Sequence, residues 1–371
     1  MLGMVAVPVL LSVIMGVLLV ATPWLMPPTE CFAVTVPPSA KDDPRIRALY
    51  RIYSVTVGTT TVLCAIACSV VMHLWASDPS SVQSERAFVV ATMVATFVPL
   101  IVSFALMLLT RNQVRELKES EGWVVEAPHA AAFVDDDAPK PISIWWNVLY
   151  LVIAAALAAF ALAHFADYPA RIPMQVDFDG TITRFADKSV RTVLFPAFFA
   201  ALLGTAFTFA HYVAIHSKRP IDPAAPASSA LAYGRFARVY SLMSLLGGLG
   251  LCTIFGISFN LSVLGTITLG QAAVIMVVTT LIFVVAVTGV SVVMGQSGAL
   301  LASELRTTDA VLRDDDAHWL LGTIYFNPQD PSIFVPKRFG IGWTCNAARP
   351  EAWGLMAALV LLVAVFTLVM A

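Results

Sequence analysis

Eight stretches of this chain are almost free of charge, and they leave it few ways to fold. They run roughly over residues 2–26, 53–76, 87–109, 144–166, 191–215, 236–258, 270–294 and 353–371. Each is near the ~20 apolar residues that a helix needs to cross the hydrocarbon core of a bilayer. Hydrocarbon offers the backbone no water, so a segment lying there must satisfy its own N–H and C=O groups, as a helix does. Barrel strands would be shorter and would alternate apolar with polar residues; these runs do neither. Composition agrees: 58% of the 371 residues are hydrophobic and 12% are charged, against about 25% charged in a soluble domain. The expected fold is an all-α membrane protein, a polytopic bundle of about eight transmembrane helices.

Orientation follows from Lys and Arg, which concentrate in short cytoplasmic loops. With the N-terminus outside, only Arg86, Arg171, Arg184, Lys188 and Arg191 of the 22 basic residues lie outside. The remaining seventeen lie inside. This predicts a multi-pass protein of the plasma membrane with both termini extracellular. Met1-Leu2-Gly3-Met4 lacks a basic residue and opens a long apolar run, which reads as a spanning helix rather than a cleaved signal peptide. Four regions are expected. Residues 1–143 form a three-helix membrane region with cytoplasmic loops, and 144–215 a two-helix unit with an outer loop at 167–190. Residues 216–294 form a second two-helix region. Residues 295–371 form a cytoplasmic segment and the last helix.

The spans carry little chemistry. No Asp, Glu, Lys or Arg falls well inside a predicted span, whereas pumps and ion-coupled carriers usually keep such residues there. Histidines sit near the span ends: His73 and His164 towards the outside, His211 and His216 towards the inside. They read as interfacial side chains. Gly247, Gly248, Gly250 and Gly256 suggest close helix packing in the sixth span. Pro8, Pro99 and Pro196 are expected to kink their helices. The five cysteines suggest no disulfide framework, and Cys64 and Cys68, at i, i+4, read as packing residues.

The outer loop spells Asp177-Phe178-Asp179-Gly180-Thr181, which resembles the first motif of the haloacid-dehalogenase phosphatases. That chemistry needs a doubly wound domain of over a hundred residues after the motif. Here an apolar helix begins about ten residues later, so the resemblance is read as coincidental and no enzyme, catalytic residue or cofactor is expected. His164, Asp167, Asp177 and Asp179 are weak candidates for a zinc or manganese site. The order Pro169-x-x-Ile172-Pro173, then Asp177, Gly180, Phe185 and Lys188, between two apolar helices, resembles the family catalogued as domain of unknown function 1648. Gln175, Val176 and Thr183 depart from its pattern. The loop reads as a compact turn, with Pro173, Asp177, Asp179, Gly180 and Lys188 facing a ligand.

Residues 314–346 are similar to the family catalogued as domain of unknown function 5808. The matching positions are Asp315, Trp319, Gly322, Tyr325, Asn327, Pro328, Asp330, Pro331, Phe334, Val335, Lys337, Gly340, Gly342, Trp343 and Asn346. The first inner loop, Phe32 to Pro37 and Asp43 to Tyr50, also looks like what precedes these domains in larger members. By composition, 319–338 reads as one β-hairpin, with strands Leu320–Phe326 and Ser332–Val335 joined by the turn Asn327–Pro331. It gives the predicted fold a small cytoplasmic β segment. Trp319 and Trp343 are placed at the headgroups, and Lys337 and Arg338 against anionic lipid. Trp319, Tyr325, Asn327, Asp330, Lys337, Arg338 and Trp343 form the candidate inner docking segment. Arg111 to Glu121 reads as a short charged helix, and Asp135–Asp137 and Asp314–Asp316 as solvated faces.

The 1648 resemblance implies an immunity and signalling role of the SdpI type. In Gram-positive cells such proteins protect against a secreted toxin and hold a repressor at the membrane. The implied partners are membrane lipids, a peptide toxin outside and a regulatory protein inside, with no direct nucleic acid binding. The other function expected is a transporter or channel for a small or lipidic solute.

Overall fold

The computed structural model describes residues 2–27, 29–77, 82–123, 139–176, 181–218, 226–295, 298, 300–301, 315–340 and 342–370. The apolar runs are helical. They form α1 (Leu2–Leu25), α2 (Pro44–Ser77), α3 (Val82–Ser120), α4 (Val148–Ala163), α6 (Phe195–His216), α7 (Pro226–Val263), α8 (Leu269–Met294) and α9 (Pro350–Met370), with a single turn α5 (Val190–Val193) before α6. Seven of them are long and apolar enough to cross a membrane, and Val9–Leu25 of α1 is a shorter apolar helix. These helices leave a belt of large apolar side chains bare, among them Leu63, Ile101, Leu151, Ile282 and Leu361. So extensive an exposed apolar surface is unusual for a soluble monomer, and the architecture is compatible with a multi-pass membrane protein.

Two groups of helices pack internally: α1 with α2 and α3, and α4 with α6, α7 and α8, with α9 lying on α6. The chain runs back and forth, so two faces collect the loops. On one face lie the ends of α1, α3, α6 and α8 and the starts of α2, α4, α7 and α9; we call it the junction face. The opposite face carries residues 164–189 and the α7–α8 connection.

Small residues set the spacing of the second group. A Cβ on Gly256 would lie 2.3 Å from Leu157, and one on Gly248 2.5 Å from the Tyr150 hydroxyl. Tyr150 then donates to the Ser244 carbonyl at 2.9 Å. Gly256→Val should cost about 1–3 kcal/mol by overpacking this seam, read as a lower unfolding midpoint. Gly250→Val, where a Cβ meets nothing, should leave the midpoint near that of the parent.

Residues 171–187 extend the expected turn into paired strands on either side of 177–180, which lie outside the described residues. They form an antiparallel hairpin, β3 (Arg171–Val176) on β4 (Ile182–Asp187), with a register shift after Pro173. Strand-forming residues flank the predicted turn, and the hairpin closes because Ile172 plugs a core of Ala161, Tyr168, Val193, Phe259 and Val263. Pro196 lies at the start of α6, where proline fits without kinking a helix. Pro99 is inside α3 and Pro8 inside α1. The charged stretch from Arg111 is no separate helix; it continues α3 to Ser120.

The junction face holds three small hairpins. β1 (Glu30–Cys31) pairs with β2 (Val34–Thr35), β5 (Trp319–Leu320) with β6 (Ile324–Tyr325), and β7 (Phe334–Pro336) with β8 (Trp343–Cys345). The expected single hairpin over 319–338 is thus replaced by two. Asn327–Pro331 joins them rather than turning one, because β7 finds its partner in 343–345. In the β1–β2 turn, Phe32 and Ala33 have φ 44° and 62°, the left-handed pair that a two-residue hairpin turn requires. A phenylalanine there is costly. It is held by full burial among Tyr50, Tyr53 and Phe339.

Candidate functional site: a buried ionic junction

Arg338 is the centre of the junction face. Its side chain is 4% exposed and pairs with both Asp315 and Asp316. It also donates to the Ala33 carbonyl at 3.4 Å and lies 5.3 Å from the Trp319 ring centre. Asp316 gathers three further donors: Thr35 N at 3.0 Å, Thr35 Oγ1 at 2.8 Å and Lys118 Nζ at 2.8 Å. Arg111 of α3 donates to the Trp319 carbonyl at 3.3 Å. One cluster therefore ties the first loop, α3 and residues 315–338 together. Burial by itself would raise the Asp316 carboxyl, but Arg338 and Lys118 outweigh it and hold it at about 2.

Glu30 borders this cluster and is the exception within it. Its Oε2 is enclosed without a hydrogen-bond partner. Burial pushes the carboxyl up to about 7; Asp315 and Asp316 add to that, while Arg338 and Lys41 oppose it. Lys41 does not reach it directly, since its Nζ donates to the Pro27 carbonyl at 2.9 Å.

A second knot is built on Asp330. Its carboxylate accepts from Lys218, from Tyr325 Oη at 2.8 Å and from Ser332 N at 2.9 Å. Its carbonyl accepts from Arg349 Nε at 2.7 Å and from Asn346 Nδ2 at 3.2 Å. Asn346 also bonds Asn327 through both main-chain groups, at 3.0 and 2.8 Å. Burial works against the Asp330 charge, yet Lys218, Ser332 and Tyr325 hold its pKa well below the usual carboxylate range. Lys218 follows α6, and its N–H donates to the Phe334 carbonyl at 2.9 Å. The two knots thus fasten residues 315–349 to both helical groups.

This geometry corrects the expected docking segment. Trp319, Tyr325, Asn327, Asp330 and Arg338 are buried and hold the unit together. Trp319 is therefore covered by protein rather than by headgroups, and Arg338 faces carboxylates rather than lipid. Lys337 is exposed and Trp343 half-buried against Phe236 and Tyr240. Asp315 and Asp316 are ion-paired rather than solvated; Asp135–Asp137 and Asp314 lie outside the described residues. Sequence reasoning missed Glu30, Thr35, Arg111, Lys118 and Lys218. Each is an ordinary loop or helix residue whose charged or hydrogen-bonding neighbours lie far away in the chain.

On the opposite face, Lys188, expected to face a ligand, is engaged within its own loop. It donates to the carbonyls of Ala166 at 3.1 Å and Tyr168 at 2.8 Å and sits over the Phe165 ring, closing the base of the hairpin. Pro173 pairs with Phe185 inside it. Asp177, Asp179 and Gly180 lie outside the described residues. Of the weak metal candidates, His164 Nδ1 and Asp167 meet at 2.9 Å, and the remaining two are Asp177 and Asp179. Among the described residues no group of three metal-type ligands occurs. His211 is fully buried rather than interfacial. Its Nε2 donates to the Ile142 carbonyl at 3.0 Å, and Nδ1 meets the Asn147 amide at 3.1 Å. His216 stacks on Tyr212, and His73 lines a groove between α1 and α2. Cys64 and Cys68 are free thiols, as are the other three cysteines.

Residues 328–353 match a family of unknown function (DUF5808). The match begins later than the 314–346 read from the sequence and continues into α9. It takes in Asp330, Asn346 and Arg349 of the second knot but not Tyr325, Asn327 or Lys218. It does not reach the hairpin β3–β4, and the comparison gives no support to the 1648 resemblance read there. No curated protein and no solved structure matches the chain.

Proposed function

We propose that this chain is an eight-span membrane protein with α1 as the eighth span. In this reading it serves an immunity or signalling role: β3–β4 meets a ligand outside and the residue 315–349 unit transmits the change inside. One observation carries it. The inner unit is not a tail: buried charge ties it to α3 through Lys118 and Arg111 and to the end of α6 through Lys218. A shift of one helical group against the other must strain these ties, so the unit is placed to sense it. The basic residues concentrate on the same face, which favours its being cytoplasmic. The occupants suggested by the SdpI-type resemblance are a peptide toxin outside and a regulatory protein inside.

The test is deletion of the gene from its native host, followed by challenge with peptide toxins secreted by sibling cells. The deletion strain should become more sensitive, the intact chain should restore resistance, and a chain with residues 177–180 replaced by Gly-Ser-Gly-Ser should not. Unchanged sensitivity together with an unchanged transcriptome would sink this reading.

A second reading, transport of a lipidic solute, is favoured by a lateral groove of ≈ 910 Å³ between α1 and α2. It is lined mainly by apolar residues from Val13 to Trp24 and from Gly58 to Leu74. Flux of a labelled lipid in proteoliposomes would favour this reading over the first.

A further inference from the structure

The hairpin β5–β6 has two unlike faces. Trp319 and Tyr325 are buried, whereas Leu320, Leu321, Ile324 and Phe326 are 56%, 59%, 47% and 47% exposed. Four large apolar side chains on so short a hairpin make a contiguous bare patch, the kind of surface that marks an interaction site. The turn adds to it. Leu321 has φ 51°, a conformation that disfavours any residue with a Cβ, and it holds the leucine outward rather than into the core.

Two anchors fix the level of this patch relative to the apolar helices. A Cβ on Gly322 would lie 2.7 Å from the Ala33 side chain and 3.0 Å from Arg111 Nε, so the turn rests on Arg111. Arg111 lies two residues beyond Leu109, an exposed apolar residue of α3. At 1.5 Å per residue that is about 3 Å along the helix. On the other side, Ala347 N donates to the Tyr325 carbonyl at 2.8 Å, three residues before α9 begins at Pro350. Trp353, exposed in the first turn of α9, donates its Nε1–H to the Ala347 carbonyl at 3.1 Å. Tryptophan at a helix start is what the membrane–water interface favours.

We propose that the β5–β6 hairpin is a membrane wedge: Leu320, Leu321, Ile324 and Phe326 are covered by the headgroup–acyl boundary of the leaflet on the junction face, not by a protein. The patch is anchored beside bare apolar residues of both helices, Leu109 of α3 and Trp353 of α9. A leaflet therefore meets it at the depth where interfacial segments bury apolar side chains. A soluble partner would have to reach it at the membrane boundary, beneath the rest of the junction face. The proposal rests on the reading of α3 and α9 as spanning helices.

Spin labels separate the two claims. Ile324→Cys, Ile101→Cys and Glu119→Cys are each labelled in the full chain with its native cysteines changed to Ala. The protein is placed in vesicles of phosphatidylcholine and phosphatidylglycerol, and relaxation by oxygen is compared with relaxation by a water-soluble nickel chelate. Ile101 is exposed in the apolar part of α3, and Glu119 lies about 12 Å beyond Arg111 on the same helix. The oxygen-to-nickel ratio at 324 should lie near that at 101 and severalfold above that at 119. A water-like ratio at 324 with a lipid-like ratio at 101 overturns the wedge and leaves a surface for a soluble partner. Water-like ratios at both overturn the wedge and the spanning reading together. If the cysteine-free chain does not fold, benzoylphenylalanine at the same positions of the unaltered chain decides it. Lipid adducts at 324 and 101 but not 119 support the wedge, and adducts at 101 alone overturn it.

Discussion

Arg338→Leu should lower stability by about 3–5 kcal/mol, the cost of removing one partner from a buried ion pair. The effect does not depend on what Arg338 itself contributes. It arises because Asp315 and Asp316, with side chains 17% and 13% exposed, would be left close together without the guanidinium that joins them. Arg338→Lys should recover only part of the loss, since an ammonium cannot present the guanidinium fork to two carboxylates and the Ala33 carbonyl at once. Adding Asp315→Asn and Asp316→Asn to Arg338→Leu should recover most of it, because the uncompensated charge is gone. The measurements are the unfolding midpoint in mild detergent and the rate of proteolysis at residues 27–43. An Arg338→Leu protein within ~0.5 kcal/mol of the parent would mean that the cluster behaves as a surface feature.

Glu30→Gln should act in the opposite direction and only above a certain pH. Unfolded, Glu30 titrates near 4.5; folded, burial raises it to about 7. A raised acid contributes its full stability below 4.5, where it is protonated in both states, and loses that contribution as pH rises through 7. At ~1.4 kcal/mol per pH unit, the loss across this window is on the order of 3 kcal/mol. Glutamine keeps the shape and cannot ionise. The variant should therefore match the parent near pH 4 and exceed it by up to about that amount above pH 7. Asp316 has the opposite slope: held at about 2 against an ordinary 3.8, it stabilises above 3.8 and loses that contribution as pH falls towards 2. Scans of unfolding midpoint from pH 4 to 8 decide the matter. Parallel curves for parent and variant would show that Glu30 is not the titrating group.

The helices were legible because membrane helices are written locally. A run of about 20 apolar residues satisfies its own backbone hydrogen bonds and needs no distant partner to be recognised. Asp330, Asn327, Asn346 and Tyr325 could be singled out from their family pattern, but not their role. Tyr325, Asn327 and Asp330, expected on an exposed docking surface, became buried, hydrogen-bonded groups. The β segments were legible in kind and wrong in pairing. Ser332–Val335 has strand-forming residues either way, but only the fold decides that its partner is Trp343–Cys345 rather than Leu320–Phe326.

The sequence by itself determined the helix count to within one, the two-faced arrangement of the loops and the concentration of basic residues on one face. All of these follow from how single segments partition between water and apolar surroundings. Only the tertiary structure decided which charges meet. Thr35 and Asp316 stand 281 positions apart, Lys118 and Asp316 198, and Lys218 and Asp330 112. A carboxylate's partner and its acidity are set by distance and burial, which a linear pattern does not contain. Glu30 reads as one more loop glutamate until the fold encloses it beside two aspartates and leaves one of its oxygens unbonded.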